Sequence, residues 1–359
     1  MEMKKYKLGD ILELQRGYDL TSAEMKNADV PVAGSNGVIG YHDVAKCITP
    51  CITVGRSGSV GKVHFYKNPV WVHNTALYVS NFKGNDPKYL YYLLSVLKLD
   101  VLCGSSVVPS LNRNVVYPME VLFCSDISLQ KKISSILSAI DDRIENLRAQ
   151  NRVLEQTAKT IYDYTFLQCA GHQTTYNKTL NRNIPIIWNV KTIGEILDKV
   201  PATTKVKTNL YQQNGKYPII DQSTNFIAGY TDNESAVIKK TPAVFFGDHT
   251  RIVKMINFDF ARGADGTQIL YSKERAVDPF YLYFAVKAID LSNMGYARHF
   301  KFLKDKPIAI PDKNTSDSFE KTIRPLFDKI LINTKQIETL TTQRNTLLPL
   351  LMNGQIEAC

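Results

Sequence analysis

The feature that most constrains this chain is that it repeats itself once. Tyr6-Lys-Leu-Gly-Asp-Ile-Leu12 returns as Val190-Lys-Thr-Ile-Gly-Glu-Ile-Leu197. Val30-Pro-Val-Ala-Gly-Ser-Asn-Gly-Val-Ile-Gly-Tyr41 returns as Tyr217-Pro-Ile-Ile-Asp-Gln-Ser-Thr-Asn-Phe-Ile-Ala-Gly-Tyr230. Asn74-Thr-Ala-Leu-Tyr-Val-Ser80 matches Gly266-Thr-Gln-Ile-Leu-Tyr-Ser272, and Asp86-Pro-Lys-Tyr-Leu-Tyr-Tyr92 matches Asp278-Pro-Phe-Tyr-Leu-Tyr-Phe284. Ser128-Leu-Gln-Lys-Lys-Ile133 matches Ser318-Phe-Glu-Lys-Thr-Ile323. The offsets are 192 residues at Asp86/Asp278 and 190 at Ile133/Ile323, so the matches keep order and spacing. Chance similarity of short motifs does neither, and the chain is a tandem duplication.

Each copy has two parts. The first is rich in Gly, Pro, Tyr and β-branched residues, with short alternating runs such as Val54, Val60, Val63 and Phe65. It predicts a small mixed α/β globule with several strands and one clear helix at residues 87–99. The second part is a long helix. Ile133, Ile140, Leu147, Leu154 and Ile161 recur every seven residues, and Leu137, Ile144, Asn151 and Ala158 form a second such series. Together they make a heptad seam, with Asn151 as a polar residue of the kind that fixes register. The second copy offers Ile323, Ile330, Ile337 and Leu351 with Phe327 and Leu348 alongside, weakened by Thr334, Thr341 and Arg344. One such helix alone would suit ordinary core packing. Two, each closing a repeat, predict an antiparallel coiled coil. The expected fold class is α+β. Its expected divisions are a globule at 1–125, a helix at 126–168, a polar linker at 169–187, a globule at 188–312, a helix at 313–352 and a tail at 353–359.

With 359 residues, 44% hydrophobic, the composition is that of a globular protein with more than one core. A net charge of +10 fits either a polyanionic partner or plain solubility. The N-terminus lacks the apolar core of a signal peptide, and no run has the length of a membrane span. The six cysteines show no paired metal-ligand spacing, which favours buried reduced thiols in a cytoplasmic protein.

Enzymatic motifs are approached and missed. Gly58-Ser-Val-Gly61-Lys62-Val63 has Val63 where a phosphate-binding loop needs Ser or Thr, and Arg56 where it needs Gly. Asn68-Pro69-Val70-Trp71 lacks the second proline of the amino-methyltransferase tetrapeptide, and no glycine-rich cofactor loop precedes it. Asp19 with Glu24 and Lys26 has the residue types of a metal nuclease without its spacing or strand pattern. No catalytic or metal-binding constellation stands out. The alternatives left open are a nuclease with a dispersed site and a scaffold that uses its helices for protein contacts alone.

A duplicated globule with a long heptad helix, over essentially the whole chain, resembles the specificity subunits of type I restriction–modification systems. The local marks are Leu8-Gly-Asp-Ile-Leu-Glu-Leu-Gln-Arg-Gly17, Ala158-Lys-Thr-Ile-Tyr-Asp-Tyr-Thr-Phe166, Gly295-Tyr-Ala-Arg-His-Phe-Lys-Phe-Leu303 and Leu347-Leu-Pro-Leu-Leu-Met-Asn-Gly-Gln-Ile356. Two departures are Asp198-Lys-Val-Pro201 opposite Leu14-Gln-Arg-Gly17, and Ser318-Phe-Glu-Lys opposite Ser128-Leu-Gln-Lys. The resemblance implies a non-catalytic subunit with two target-recognition domains reading a bipartite, asymmetric site in double-stranded DNA, for phage defence. It implies assembly with two methylation subunits and with restriction subunits. S-adenosylmethionine, ATP and magnesium would belong to those partners, and no cofactor or membrane to this chain. A helix of about 35 residues is about 50 Å long, enough to hold two readers more than a DNA turn apart.

Polar loops flanked by glycine suit close approach to DNA. In the first globule the candidates are Arg16, Arg56, Ser57, Ser59, Lys62, His73, Asn74, Asn112, Arg113 and Asn114. In the second they are His249, Thr250, Arg251, Gln268, Tyr296, Arg298, His299 and Lys301. Any of these can instead be a turn former or a solvated loop residue. For His299 a buried position satisfying a turn competes directly with DNA contact.

Overall fold

The computed structural model describes residues 2–102, 110–264, 266–295 and 298–357. It divides into two compact units, Met1–Asn146 with Gln336–Cys359, and Leu147–Lys335. In the first, the alternating runs form a four-stranded sheet ordered Glu13–Arg16, Ala76–Asn81, Cys51–Gly55, Val63–Tyr66. A three-stranded sheet pairs Gly37–His42 with Val30–Gly34 and Val30–Gly34 with Trp71–Val72. Lys4–Lys7 pairs antiparallel with Glu120–Phe123, tying the start of the globule to its end. The strand Cys51–Gly55 is buried throughout, Thr53 included, because it is paired on both sides within its sheet.

The second unit repeats the plan. Val253–Ile256, Ala243–Gly247 and Thr267–Leu270 form one sheet, Asn189–Thr192 pairs with Pro307–Ile310, and Tyr217–Ile220 pairs with Gly229–Thr231. Strand Cys51–Gly55 and strand Ala243–Gly247 hold the same place, each hydrogen-bonded on both sides.

Each globule carries a helix of nine or ten residues on its core, Pro87–Val96 in the first and Pro279–Lys287 in the second. Both begin with an aspartate whose side chain accepts the freed N–H groups, followed by proline where no N–H is needed. Asp86 accepts from Tyr89 N at 2.8 Å; Asp278 accepts from Phe280 N at 2.8 Å and Tyr281 N at 3.0 Å. The first ends three residues earlier than the sequence suggests. Leu97 turns extended, and the chain re-enters a 3-10 turn at Leu99–Leu102 that buries Leu99 in the core.

The long helices are Ile127–Tyr162, closed by a π turn at Asp163–Leu167, and Lys313–Met352. Within the first unit Ile133 and Leu137 share a core with Leu351 and Met352, and Arg344 donates to Asp141 at 3.1 Å. Within the second, Asn333 donates to Asn151 at 2.9 Å and Tyr162 packs against Phe319. In each unit the pairing runs antiparallel. Ile133, Leu137, Ile144, Leu147, Ile323, Phe327 and Leu351 are buried, while Ile140, Asn151, Leu154, Ile161, Ile330, Ile337 and Leu348 are half-buried. The apparent weak points, Thr334 and Arg344, are polar partners across the seam: Asn151 donates to Thr334 at 3.4 Å, and Arg344 meets Asp141. Asn333, fully buried, belongs to the seam and was not read from the heptads.

The segment expected as an irregular linker contains a hairpin, Thr174–Asn177 with Arg182–Pro185. Its strands are too short to show a period in sequence, and its inner side chain Ile184 is buried with the following Trp188. Trp188 donates to Asp312 at 3.1 Å.

The two helix starts also differ as their sequences do. Gln130, fully buried, accepts from Asp86 N at 2.8 Å and donates to Asn85 at 2.9 Å and to the Cys124 carbonyl at 2.8 Å. Its counterpart Glu320 turns to Arg324, and buried Ser316 donates to Asp278 at 3.0 Å instead.

Candidate nucleic-acid interface

In the first unit the polar candidates converge because one glycine lets two segments touch. A Cβ on Gly17 would lie 2.2 Å from the His73 carbonyl oxygen, so only glycine allows residues 16–19 to lie on the turn at 73–76. That contact brings Asn74 to Asp19, which also pairs with Arg16 at 3.0 Å. The amide of Asn74, and then Arg16, hold the Asp19 carboxyl below the usual aspartate range. The Thr75 carbonyl accepts Arg56 N at 2.8 Å and Ser57 N at 3.1 Å, and Arg56 Nη1 donates to the Asn74 carbonyl at 3.3 Å. The Arg56 carbonyl accepts Leu111 N at 2.8 Å and Ser57 bridges Ser110, which places Asn112, Arg113 and Asn114 beside the same loops.

Arg16 and Arg113 line a surface groove of about 820 Å³ with Gln15, Tyr18 and Lys83. Arg113 is steadied by the Leu14 carbonyl at 3.3 Å. Asn112 caps the turn of helix Arg113–Val116 through Asn114 N at 3.0 Å. Ser59 and Lys62 sit in the turn after Cys51–Gly55, with Lys62 donating to Asn36 at 2.7 Å. His73 is otherwise engaged: Nδ1 meets Thr75 at 2.9 Å and Nε2 meets the Leu20 carbonyl at 3.1 Å. Its ring shapes the loop from within.

In the second unit the matching position to Arg56 is Asp248. The Asp248 carbonyl accepts His299 N at 2.8 Å, as the Arg56 carbonyl accepts Leu111 N. Asp248 is buried, and its carboxylate accepts Phe300 N at 2.8 Å. His299 is 4% exposed, with Nδ1 on the Asp248 carbonyl at 3.1 Å. Of the two positions open to His299 in sequence, the structure has the buried one: the ring lies at the start of helix His299–Lys304 against the Asp248 carbonyl. Arg298 and Lys301 beside it are exposed. Tyr296 lies outside the described residues.

His249, Thr250 and Arg251 are exposed on the turn after Ala243–Gly247. Arg251 adopts a left-handed φ of 61° and donates to the Leu291 carbonyl at 3.2 Å. Gln268 is half-buried on Thr267–Leu270. Gln222, which the sequence reading missed, joins this group: its Oε1 accepts His249 N at 3.1 Å. The signal was present in the repeat, where Ser35 aligns with Gln222 and the second copy then carries extra residues. Among the described residues no three His, Cys, Asp or Glu side chains are placed to hold a metal ion.

Two sets of polar and cationic loops on one duplicated frame agree with the comparisons. The family model described as type I restriction modification DNA specificity domain matches twice, at residues 1–156 and 185–342. The MjaIX type I restriction enzyme specificity subunit of Methanocaldococcus jannaschii is 26% identical over 327 residues, covering 83% of this chain and 75% of that one. A putative type I specificity subunit of Mycoplasma pneumoniae is 25% identical over 231 residues, covering 62% of this chain and 61% of that one. The crystal structure of a type I restriction–modification S subunit from M. genitalium has the same fold, with a TM-score of 0.65 at 15% identity over 98% of this chain and 96% of that one. The chain belongs to the family of type I restriction–modification specificity subunits, the non-catalytic members of those systems.

Proposed function

We propose that each unit reads one half of a bipartite DNA target and that the two halves differ in sequence. What supports this is a common frame carrying unlike side chains at matching places. Where the first unit has Ser110, the second has exposed Arg298, positions matched by the bonds from Leu111 N to the Arg56 carbonyl and from His299 N to the Asp248 carbonyl. Side chains that differ in charge and hydrogen-bonding sense cannot favour the same base edges. Arg16, Arg113, Arg298 and Lys301 supply the charge that phosphate contact needs.

In this reading the chain supplies the address to two methylation subunits, which use S-adenosylmethionine, and to restriction subunits, which use ATP and magnesium. It acts in the cytoplasm, where its DNA is. Among the described residues no helix is long and apolar enough to cross a membrane.

The test is methylation sequencing of a host with and without the gene. The expected result is one split, asymmetric motif that loses modification with the gene. Purified chain that by itself cleaves or methylates labelled duplex, given divalent metal and S-adenosylmethionine, would overturn the non-catalytic role.

A further inference from the structure

Two glycines at matching places show which segment each unit lays against its strand end. A Cβ on Gly55 would meet the Ser35 carbonyl at 2.7 Å, and a Cβ on Gly247 would meet Gln222 Cβ at 2.9 Å. The first segment is a tight turn, since Val30–Gly34 and Gly37–His42 leave only Ser35 and Asn36 between them. The second is longer, with residues 221–228 joining Tyr217–Ile220 to Gly229–Thr231.

A longer irregular segment has backbone carbonyls that no strand pairs, and buried carbonyls need donors. Lys254 provides them. It is 5% exposed, lies on the strand next to Ala243–Gly247, and reaches the carbonyls of Asp221 at 2.8 Å, Asn225 at 2.5 Å and Phe226 at 3.5 Å. Burial holds its ammonium down to about 8, so the site takes a cation against an opposing desolvation cost. The same register position in the first unit is His64, opposite Thr53 as Lys254 is opposite Phe245. Under the short turn there is no open loop to hold. Accordingly His64 Nε2 is buried without a partner, and burial, then Lys62, hold that ring below the usual histidine range.

The held segment presents Gln222 among candidate DNA contacts. Its Oε1 accepts His249 N at 3.1 Å, and a Cβ on Gly266 would touch both its carboxamide, at 2.7 Å, and the His249 ring, at 2.8 Å. Beside the bond from His249 N the carboxamide oxygen has a second lone pair and the amide nitrogen two hydrogens. The side chain, already held by its neighbours, thus carries the acceptor and donor pattern that pairs with N6 and N7 of adenine in the major groove. We propose that Gln222 reads an adenine in the half-site of the second unit, and that Lys254 is the positioning residue that holds its loop for reading. This rests on the proposed function, because it presumes that the second unit reads DNA.

The experiment uses the chain reconstituted with its methylation subunits and S-adenosylmethionine, on duplexes carrying single substitutions across the methylated motif. Gln222→Ala should relax preference at one base pair of one half-site about tenfold or more, leaving the other half-site unchanged. Gln222→Glu should move the preference at that pair from adenine toward cytosine, because a carboxylate accepts from the cytosine amino group. Lys254→Met should relax the same pair, and the double variant should lose no more than either single one. A merely structural lysine would lower the melting temperature and weaken the site as a whole without that shared position. Should Lys254→Met fail to fold, the Gln222 pair of variants still decides the reading role. A complex that methylates its motif with parental preferences in both Gln222 variants overturns the inference. A complex that methylates no split motif at all overturns the proposed function instead.

Discussion

The two units share a frame and differ at their lids. At the end of strand Cys51–Gly55 the covering segment is a two-residue turn whose Asn36 is held from outside by Lys62 at 2.7 Å. At the end of strand Ala243–Gly247 it is a longer loop, held from beneath by buried Lys254. The same sheet position carries His64 in one and Lys254 in the other. The central strand with its two antiparallel partners and the long helices are thus common to both units, while loop length and the residue beneath the loop differ. A reader that must change its target without changing its fold needs that separation.

Breaking what the units share should have the largest effect. Leu147 is 1% exposed on the seam, and Leu147→Glu buries an unpaired charge there. A loss of roughly 3–5 kcal/mol is expected in denaturant unfolding, with methylation of both half-sites failing together. A variant as stable and active as its parent would show that this seam position bears no such load.

The next effect separates the two helix caps. Burial is the main cause raising the Asp278 carboxyl to about 6, against the bonds it accepts from Tyr281 N, Ser316 and Phe280 N. The folded state therefore binds a proton that the unfolded chain releases near pH 4. This contribution is fully present below pH 4 and is lost as pH rises through about 6, at most about 3 kcal/mol in all. Asp278→Asn keeps a capping oxygen and should remove that slope from the second unit. Equal pH dependence of unfolding in parent and variant between pH 4 and 7 would assign the slope elsewhere.

Much of this comparison was legible in sequence. The duplication and the heptads are patterns with a fixed offset or period, and each corresponds to a feature of the structure. The two Asp-Pro dipeptides, in contrast, match in sequence only as repeats, and the structure makes them helix caps. The segment after the first long helix escaped, because four-residue strands are too short to display alternation. Lys254 escaped for another reason. A lysine in Val253–Ile256 reads as a solvent-facing residue, and only the loop folded over it from residues 221–226 makes it a buried donor. His299 reads equally as contact or anchor until Asp248, far from it in sequence, is placed beside it.

A smaller effect should distinguish the two matching glycines. At Gly55 an added methyl meets backbone, the Ser59 carbonyl at 2.0 Å, which cannot move without the turn. At Gly247 it meets Thr250 Oγ1 at 2.4 Å, which a rotamer change withdraws, and Gln222 Cβ at 2.9 Å, a shallower overlap that a small shift of the loop at 221–228 relieves. Gly55→Ala is expected to cost roughly 2–3 kcal/mol and Gly247→Ala about 1 kcal/mol. Thermal melts of the two single variants check the order, and a reversal would mean that the first turn yields more easily than its backbone contacts imply.

The subtlest difference is a charge exchanged between matching positions, Ser110 in the first unit and Arg298 in the second. Arg298 is exposed immediately before helix His299–Lys304, whose first residue is pinned to Asp248, so its backbone is fixed while its side chain is not. Two outcomes follow from what it touches. If the guanidinium meets a base edge, Arg298→Ala should relax one position of the second half-site by roughly 1–3 kcal/mol and leave the salt dependence nearly unchanged. If it meets phosphate, binding should weaken evenly across sequences, and the slope of log affinity against log salt should fall by about one. Arg298→Ser, which copies the first unit, should behave as Arg298→Ala does, since the hydroxyl restores neither the charge nor the reach. Fluorescence anisotropy with a series of duplexes at several salt concentrations separates the cases. Unaltered affinity, preference and slope in both variants would remove Arg298 from the interface and leave the second unit to read DNA through its loops at 222–225 and 249–251.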